Sequence, residues 1–291
     1  MKHAPRLTAL LLTLALLTGL LPAASAASQP AEPRIAADSA IVIDYDTGET
    51  LYEKDADSMG IPASMTKVMT AYIIFEELEA GNLTLDTLVP VSAENAAISR
   101  DMDNYPAAVP LAAGSSLPVD TLLRLILLPS ASASCIVMAD YISGSEEAFV
   151  QRMNETARRL GMTAEYENCH GAHVHYMTAR SQAILVRECI RRFPEMLEYT
   201  SCTSVTLEDG RTYENTNGLL PGGDYGYEGA DGFKTGTIPE AGCCLCATAE
   251  RDGRRVITVI MHADNEETRH TDSAALLDYG FQVLELLEGT T

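Results

Sequence analysis

The sequence predicts an α+β fold: one antiparallel sheet flanked by helices, with an all-helical block inserted between its strands. Three observations carry this. Strand patterns stand near the start, Ala40 to Asp44 and Glu49 to Tyr52, and again near the end, Gly232 to Thr237, Cys243 to Ala249 and Arg255 to Met261. Between them, from Pro62 to about Phe193, apolar residues recur with a helical period. Strands from distant parts of a chain share one sheet only if the intervening helices pack against it as an insertion.

Each element has a local reason. Asp46-Thr47-Gly48 is a turn string, so the first two strands form a hairpin. Helices are expected over Thr66 to Ala80, Val119 to Leu128, Ile136 to Ser143 and Ser145 to Leu160. Arg251-Asp252-Gly253 joins the last two strands as a tight turn, and the amphipathic segment Glu266 to Leu287 closes the chain as a helix. There is no internal repeat.

The N-terminus has the pattern of an export signal. Lys2 and Arg6 precede an apolar run, Leu7 to Leu21, and Ala24-Ser25-Ala26 supplies small residues for cleavage. The run is shorter than a bilayer span. The expected organisation is a signal peptide over residues 1–26, a flexible Ala/Ser/Pro-rich linker over 27–37 and one domain over 38–288. No cysteine stands at the cleavage site and no later segment is long and apolar enough to span a membrane. The expectation is a protein secreted or held at the cell envelope, with no stable membrane anchor after cleavage.

Composition narrows the partners. The 291 residues include 20 basic and 41 acidic side chains, a formal net charge of −21, which disfavours nucleic acid and anionic lipid. Seven cysteines in an exported chain leave at least one thiol unpaired. Cys243 and Cys246 form a C-x-x-C string, but on a strand these positions face opposite sides of the sheet, so they read as small buried hydrophobes. His170, His173 and His175 lie close together; Gly171 among them and the lack of a carboxylate pair point to a turn with solvated histidines, and no metal is assigned.

The chemistry concentrates in two strings. In Ser64-Met65-Thr66-Lys67, residues three apart share a helix face, so the Lys67 amine reaches the Ser64 hydroxyl. A serine needs such a neighbour, because its hydroxyl attacks a carbonyl only when a base removes the proton, and an amine serves once burial or a second cation lowers its pKa. Pro62 and the helix start put Ser64 where free backbone N–H groups favour negative charge. In Gly232-Phe233-Lys234-Thr235-Gly236-Thr237, alternation puts Lys234 and Gly236 on one face, with Phe233 and Thr235 on the other. Gly236 permits close approach of another backbone, and such a strand can take up a peptide as its neighbour, with Thr237 N–H as an oxyanion donor.

Serine-x-x-lysine with a downstream Lys-Thr-Gly is shared by class A β-lactamases and penicillin-binding proteins. The chain resembles the D-alanyl-D-alanine carboxypeptidases, the low-molecular-mass penicillin-binding proteins, over nearly its whole mature length. Further strings that carry the likeness are Val42-Ile43-Asp44-Tyr45-Asp46-Thr47-Gly48, Gly144-Ser145-Glu146-Glu147-Ala148-Phe149 and Asn215-Thr216-Asn217. The resemblance implies a β-lactamase/transpeptidase-like fold, no cofactor, peptidoglycan stem peptides as substrate and β-lactams as covalent inhibitors. It further implies Ser64 as the acylated nucleophile, Lys67 as base, Lys234 as a second cation and Thr235 as a carboxylate ligand. The Ser64 and Thr237 amides would form the oxyanion hole.

One string departs from that family. Where its members carry Ser-x-Asn, this chain has Ser130-Ala131-Ser132 within a serine-rich run. Ser130 takes the place of a proton shuttle. Ser132 stands where a carboxamide is expected, and a hydroxyl is shorter and has no NH₂ group. Alternatives to a carboxypeptidase are a β-lactamase, or a catalytically weakened module that binds muropeptide or penicillin. The serine run also fits a plain helix N-cap.

Overall fold

The computed structural model describes residues 30–105 and 107–289. The expected signal peptide and the first residues of the linker lie outside the described residues.

The chain opens with a hairpin, β1 (Ser39–Asp44) and β2 (Thr50–Lys54), whose Asp44 carboxylate accepts from the Asp46 N–H at 3.0 Å and the Thr47 hydroxyl at 2.6 Å, fixing the turn. A two-residue strand, β3 (Met59–Gly60), leads to a 3-10 turn, Ala63–Thr66, and then α1 (Lys67–Glu79). The helical block follows: β4 (Leu88–Pro90), α2 (Ala93–Ile98), β5 (Ser116–Pro118), α3 (Val119–Leu127), α4 (Ser132–Ser143) and α5 (Glu146–Arg159). Short strands β6 (Ala164–Glu165) and β7 (Tyr176–Thr178) flank the histidine loop, before α6 (Ala179–Arg192), α7 (Met196–Thr200), β8 (Ser204–Thr206) and β9 (Thr212–Glu214). The chain then returns to the sheet with β10 (Ala230–Ile238), β11 (Gly242–Arg251) and β12 (Arg254–Ala263), and ends in α8 (Glu266–Glu288).

The main sheet has the order β10-β11-β12-β1-β2 and is antiparallel throughout. Its closure depends on β1 pairing with β12, with Val42 opposite Thr258, which joins the two ends of the chain. One face packs on α8, where Val42, Leu245, Val256 and Ile260 meet Leu276, Leu277 and Phe281. The other face meets α1, α6 and the helical block through Ile41, Ile43, Ile257 and Val259. Burial of apolar side chains on both faces is the dominant favourable contribution to holding this layering together. The N–H groups of Ala36 and Ala37 donate to one oxygen of Asp272 on α8 at 2.8 and 2.9 Å, so the end of the expected linker segment lies against the domain.

Three expectations need correction. α4 begins at Ser132 and not Ile136, because the small serine and alanine side chains of its first turn are buried with the apolar ones. α6 stands as a separate helix, started by the Thr178 hydroxyl accepting from Ser181 N–H, and was hidden in the broader helical pattern. Phe233 joins the core on the helical side, not the side that simple alternation gives, where the β10–β11 ladder slips between Ala230 and Gly232.

The C-x-x-C string behaves as expected. Cys243 packs on the α8 side, Cys244 and Cys246 on the other, and all three are buried. Burial pushes the Cys244 thiol up to about 12 and Cys246 up to about 11, which leaves them protonated and inert.

Candidate active site

Ser64 lies in the 3-10 turn that feeds α1, preceded by Pro62 and by Ala63 with φ of 47°. A non-glycine residue in that left-handed region is strained and persists only where the surroundings dictate it. The turn carries the Ser64 hydroxyl to the cleft while Lys67 opens α1. Lys67 Nζ lies 3.0 Å from Ser64 Oγ, as the three-residue spacing predicts.

Lys67 is fully buried, with its Nζ donating to the carbonyl oxygen of His170 at 2.5 Å and lying 3.4 Å from Ser132 Oγ. A neutral amine has two N–H groups and one lone pair. With the hydrogens directed at His170 O and Ser132 Oγ, the lone pair faces the Ser64 hydroxyl, the arrangement a general base requires. Loss of hydration on burial holds the Lys67 pKa below the ordinary lysine value, against a smaller opposing influence of the nearby thiols Cys135 and Cys169.

β10 forms the opposite wall and is the edge strand of the sheet. Lys234 and Gly236 pair with Cys246 and Cys244 and point toward the serine turn, while Thr235 and Thr237 pair with Leu245 and Cys243 and point toward α8. A Cβ on Gly236 would stand 2.5 Å from Pro62 O and 3.1 Å from Ser64 N, so the strand meets the serine turn backbone to backbone. Lys234 is buried, and its pKa falls to about 7, first through burial and then through repulsion by Lys67. Thr235 Oγ1 and Thr216 Oγ1 share a hydrogen bond at 2.5 Å.

The third wall is the start of α4. Ser130 has φ of 68°, and its buried Oγ has no hydrogen-bond partner. The cap of α4 is Ala131, with no side-chain cap, so the N-cap reading of the serine run fails. Ser64, Ser130, Ser132, Thr235 and Thr237 line one cleft of about 340 Å³, with Lys67 and Lys234 buried beneath them. All eight residues singled out in the sequence meet here.

The histidine loop is not the solvated turn expected. His170 and His175 are each 1% exposed, and only His173 faces solvent. The Thr66 hydroxyl donates to Ala63 O, so it accepts from His175 Nε2 at 2.7 Å, while His175 Nδ1 accepts from Asn168 Nδ2 at 3.1 Å. Burial, with repulsion from Lys67, lowers the His175 pKa to about 4. Gly171, φ +72°, lets the loop touch the serine turn, since a Cβ there would lie 1.9 Å from Ala63 O.

Sequence reasoning missed Arg269. It is 2% exposed on α8 and lines the cleft, donating through Nη1 to Thr237 Oγ1 at 2.9 Å and through Nη2 to Glu266 Oε1 at 2.9 Å. Its only signal was a basic residue one turn into the last helix. The His170 carbonyl was also missed, because a backbone acceptor leaves no mark in side-chain patterns.

Residues 24–265 match the family model of the S11 peptidases, described as D-alanyl-D-alanine carboxypeptidase. The chain belongs to the D-alanyl-D-alanine carboxypeptidase family. Membership makes it a serine-type peptidase, a hydrolase. The family relative D-alanyl-D-alanine carboxypeptidase DacA of Escherichia coli K12 is 34% identical over 285 residues, covering 95% of this chain and 70% of DacA. Among solved structures, penicillin-binding protein 6B from Escherichia coli aligns with a TM-score of 0.81 at 32% identity, over 87% of this chain and 80% of that one. Penicillin-binding protein D2 from Listeria monocytogenes, in its cefotaxime-bound form, aligns with a TM-score of 0.73 at 30% identity, over 87% and 100%. The fold is therefore the transpeptidase-like α+β fold of this carboxypeptidase family, with β-lactam binding known in a neighbour.

Proposed function

We propose that this chain trims the terminal D-alanine from peptidoglycan stem peptides, with Ser64 as nucleophile and Lys67 as its base. The 3.0 Å contact between Lys67 Nζ and Ser64 Oγ, in a buried site that lowers the pKa of the amine, carries the reading. Lys67 takes the Ser64 proton as Oγ attacks the penultimate D-alanyl carbonyl, and the Ser64 and Thr237 amides receive the developing oxyanion. The C–N bond then breaks as the proton taken up by Lys67 passes to the leaving amine by way of Ser130, whose hydroxyl is otherwise unpartnered, which returns Lys67 to its neutral form. Water finally cleaves the ester, releasing the shortened peptide and restoring Ser64.

The substrate lies along the edge of β10 as an added strand. Its terminal carboxylate meets the cluster of Thr235, Thr237 and the Arg269 guanidinium, with Lys234 beneath adding positive potential in its protonated form. Ser132 contributes its hydroxyl to Lys67 in place of a carboxamide, giving a slow enzyme. The preformed base favours catalysis over a binding module. The leader-like N-terminus supports an extracytoplasmic location, and among the described residues no helix is long and apolar enough to cross a membrane.

The test is acylation of the mature chain by a fluorescent penicillin together with release of D-alanine from a pentapeptide. Both must occur in the parent protein and fail in Lys67→Ala; nitrocefin turnover faster than D-alanine release would mark a β-lactamase instead.

A further inference from the structure

Glu266 is the first residue of α8, and its side chain is 71% exposed, yet it sits on the buried Arg269 guanidinium at 2.9 Å. The contact runs from Glu266 Oε1 to Nη2 alone, and Arg269 Nε has no hydrogen-bond partner. This is not the two-pronged pairing that an arginine and a carboxylate adopt when each completes the other. Glu266 also borders two spaces. It lines the cleft that holds Ser64, and it lines an adjoining polar basin of about 500 Å³ bounded by Asn217 and His270. A carboxylate placed there has room to leave the arginine without leaving the surface.

We infer that Glu266 is an internal competitor for the carboxylate end of the substrate cleft. In the free protein its carboxylate occupies one prong of Arg269, and the substrate's terminal carboxylate must displace it toward the polar basin to bind. Glu266 thereby weakens the affinity for acid-terminated peptides and sets a threshold on the substrates retained. This deepens the function proposed above and rests on it for the identity of the ligand.

The charge logic separates this from the plainer role of a helix-start acid that steadies Arg269. A residue that only positions the arginine makes acid binding weaker when removed. A competitor makes it tighter. A single contact from a solvent-exposed carboxylate to one prong of the arginine is modest, so the expected change is about three- to tenfold in affinity.

The experiment uses the mature chain carrying Ser64→Ala, so that binding is read without turnover. The ligands are an N-acylated D-alanyl-D-alanine acid and its C-terminal amide, titrated by calorimetry with and without Glu266→Gln. We expect the acid to bind about three- to tenfold more tightly to the Glu266→Gln protein, with the amide unchanged. Unchanged or weaker acid binding, in a protein that still prefers acid to amide, overturns the Glu266 proposal alone. Equal tightening of acid and amide also overturns it. No acid-over-amide preference in the Ser64→Ala parent overturns both this proposal and the reading of the cleft. Glu266→Ala, with thermal unfolding measured alongside, excludes a fold defect as the source of any loss.

Discussion

The amine of Lys67 and the main-chain carbonyl of His170 meet at 2.5 Å, although 103 residues separate them in the chain. The carbonyl holds one N–H and so turns the lone pair toward Ser64. Lys67→Ala should lower the rate of penicillin acylation by at least 10²–10⁴-fold, the range for loss of a positioned general base. Stopped-flow acylation with a fluorescent penicillin measures this, and acylation within tenfold of the parent would exclude Lys67 as the base.

The loop that supplies the carbonyl depends on Gly171. A side chain there collides with Ala63 O, so Gly171→Ala should move the loop, destabilise the protein by about 1–3 kcal/mol and slow acylation. Denaturant unfolding and acylation kinetics on the same sample test the two effects. A variant that keeps both stability and rate would show that the contact tolerates a methyl group.

Ser132 stands 3.4 Å from the Lys67 amine, near the limit of hydrogen bonding. A carboxamide reaches further and adds two donors. Ser132→Asn should raise the rate of D-alanine release by about 10-fold or more, since one oriented hydrogen bond in a catalytic site is worth 10²–10³ at most. A fall in rate would mean that the surroundings of α4 have adapted to the shorter side chain.

If Lys67 is the base proposed above, it acts in its neutral form, so acylation should rise with pH through the depressed pKa of that amine and then level off. Repulsion from Lys67 is one cause of the lowered Lys234 pKa, and a charge on Lys234 repels an ammonium at Lys67 in return. Lys234→Gln should therefore shift the rising limb to higher pH as well as weaken binding of acidic substrates. The pH profile of penicillin acylation under saturating and limiting conditions separates the two changes; a limb that stays in place would show that Lys234 does not govern Lys67.

His175 gives a pH signature in stability. Its folded pKa is lowered to about 4, so between that value and the usual histidine value the unfolded chain binds a proton that the folded chain does not. Stability from this group is complete above pH 6.5 and declines by about 1.4 kcal/mol per pH unit as acid is added, levelling near pH 4. His175→Gln should be less stable at neutral pH but show a shallower acid slope. Urea midpoints from pH 4 to 7.5 measure it, and parallel slopes for the two proteins would remove His175 as the cause.

The candidate site was legible because spacing and side-chain type were enough. Three-residue spacing placed Lys67 on Ser64, and alternation placed Lys234 and Gly236 on one face of their strand. Features that depend on tertiary contact left weaker traces. The histidine loop looked solvated because its polar residues gave no hint that Thr66, Asn168 and the Lys67 amine would take up their hydrogen-bonding groups. Arg269 looked like one charge on a final helix, and only the packing of α8 against the sheet brings it to Thr237. α4 was started late because buried serines carry no apolar signal, and Phe233 was misplaced because a ladder slip does not show in a two-residue period.

The pairing of β1 with β12 also sets an order of events. Ser64 and Lys67 are synthesised early, but their facing strand is stapled into the sheet only when residues near 260 arrive to join the hairpin made at the start. Chains still being made, or cut before β12, therefore carry Ser64 and Lys67 without the strand that faces them. On the reading proposed above, Ser64 would meet no substrate in a formed cleft until the last strands had joined the sheet.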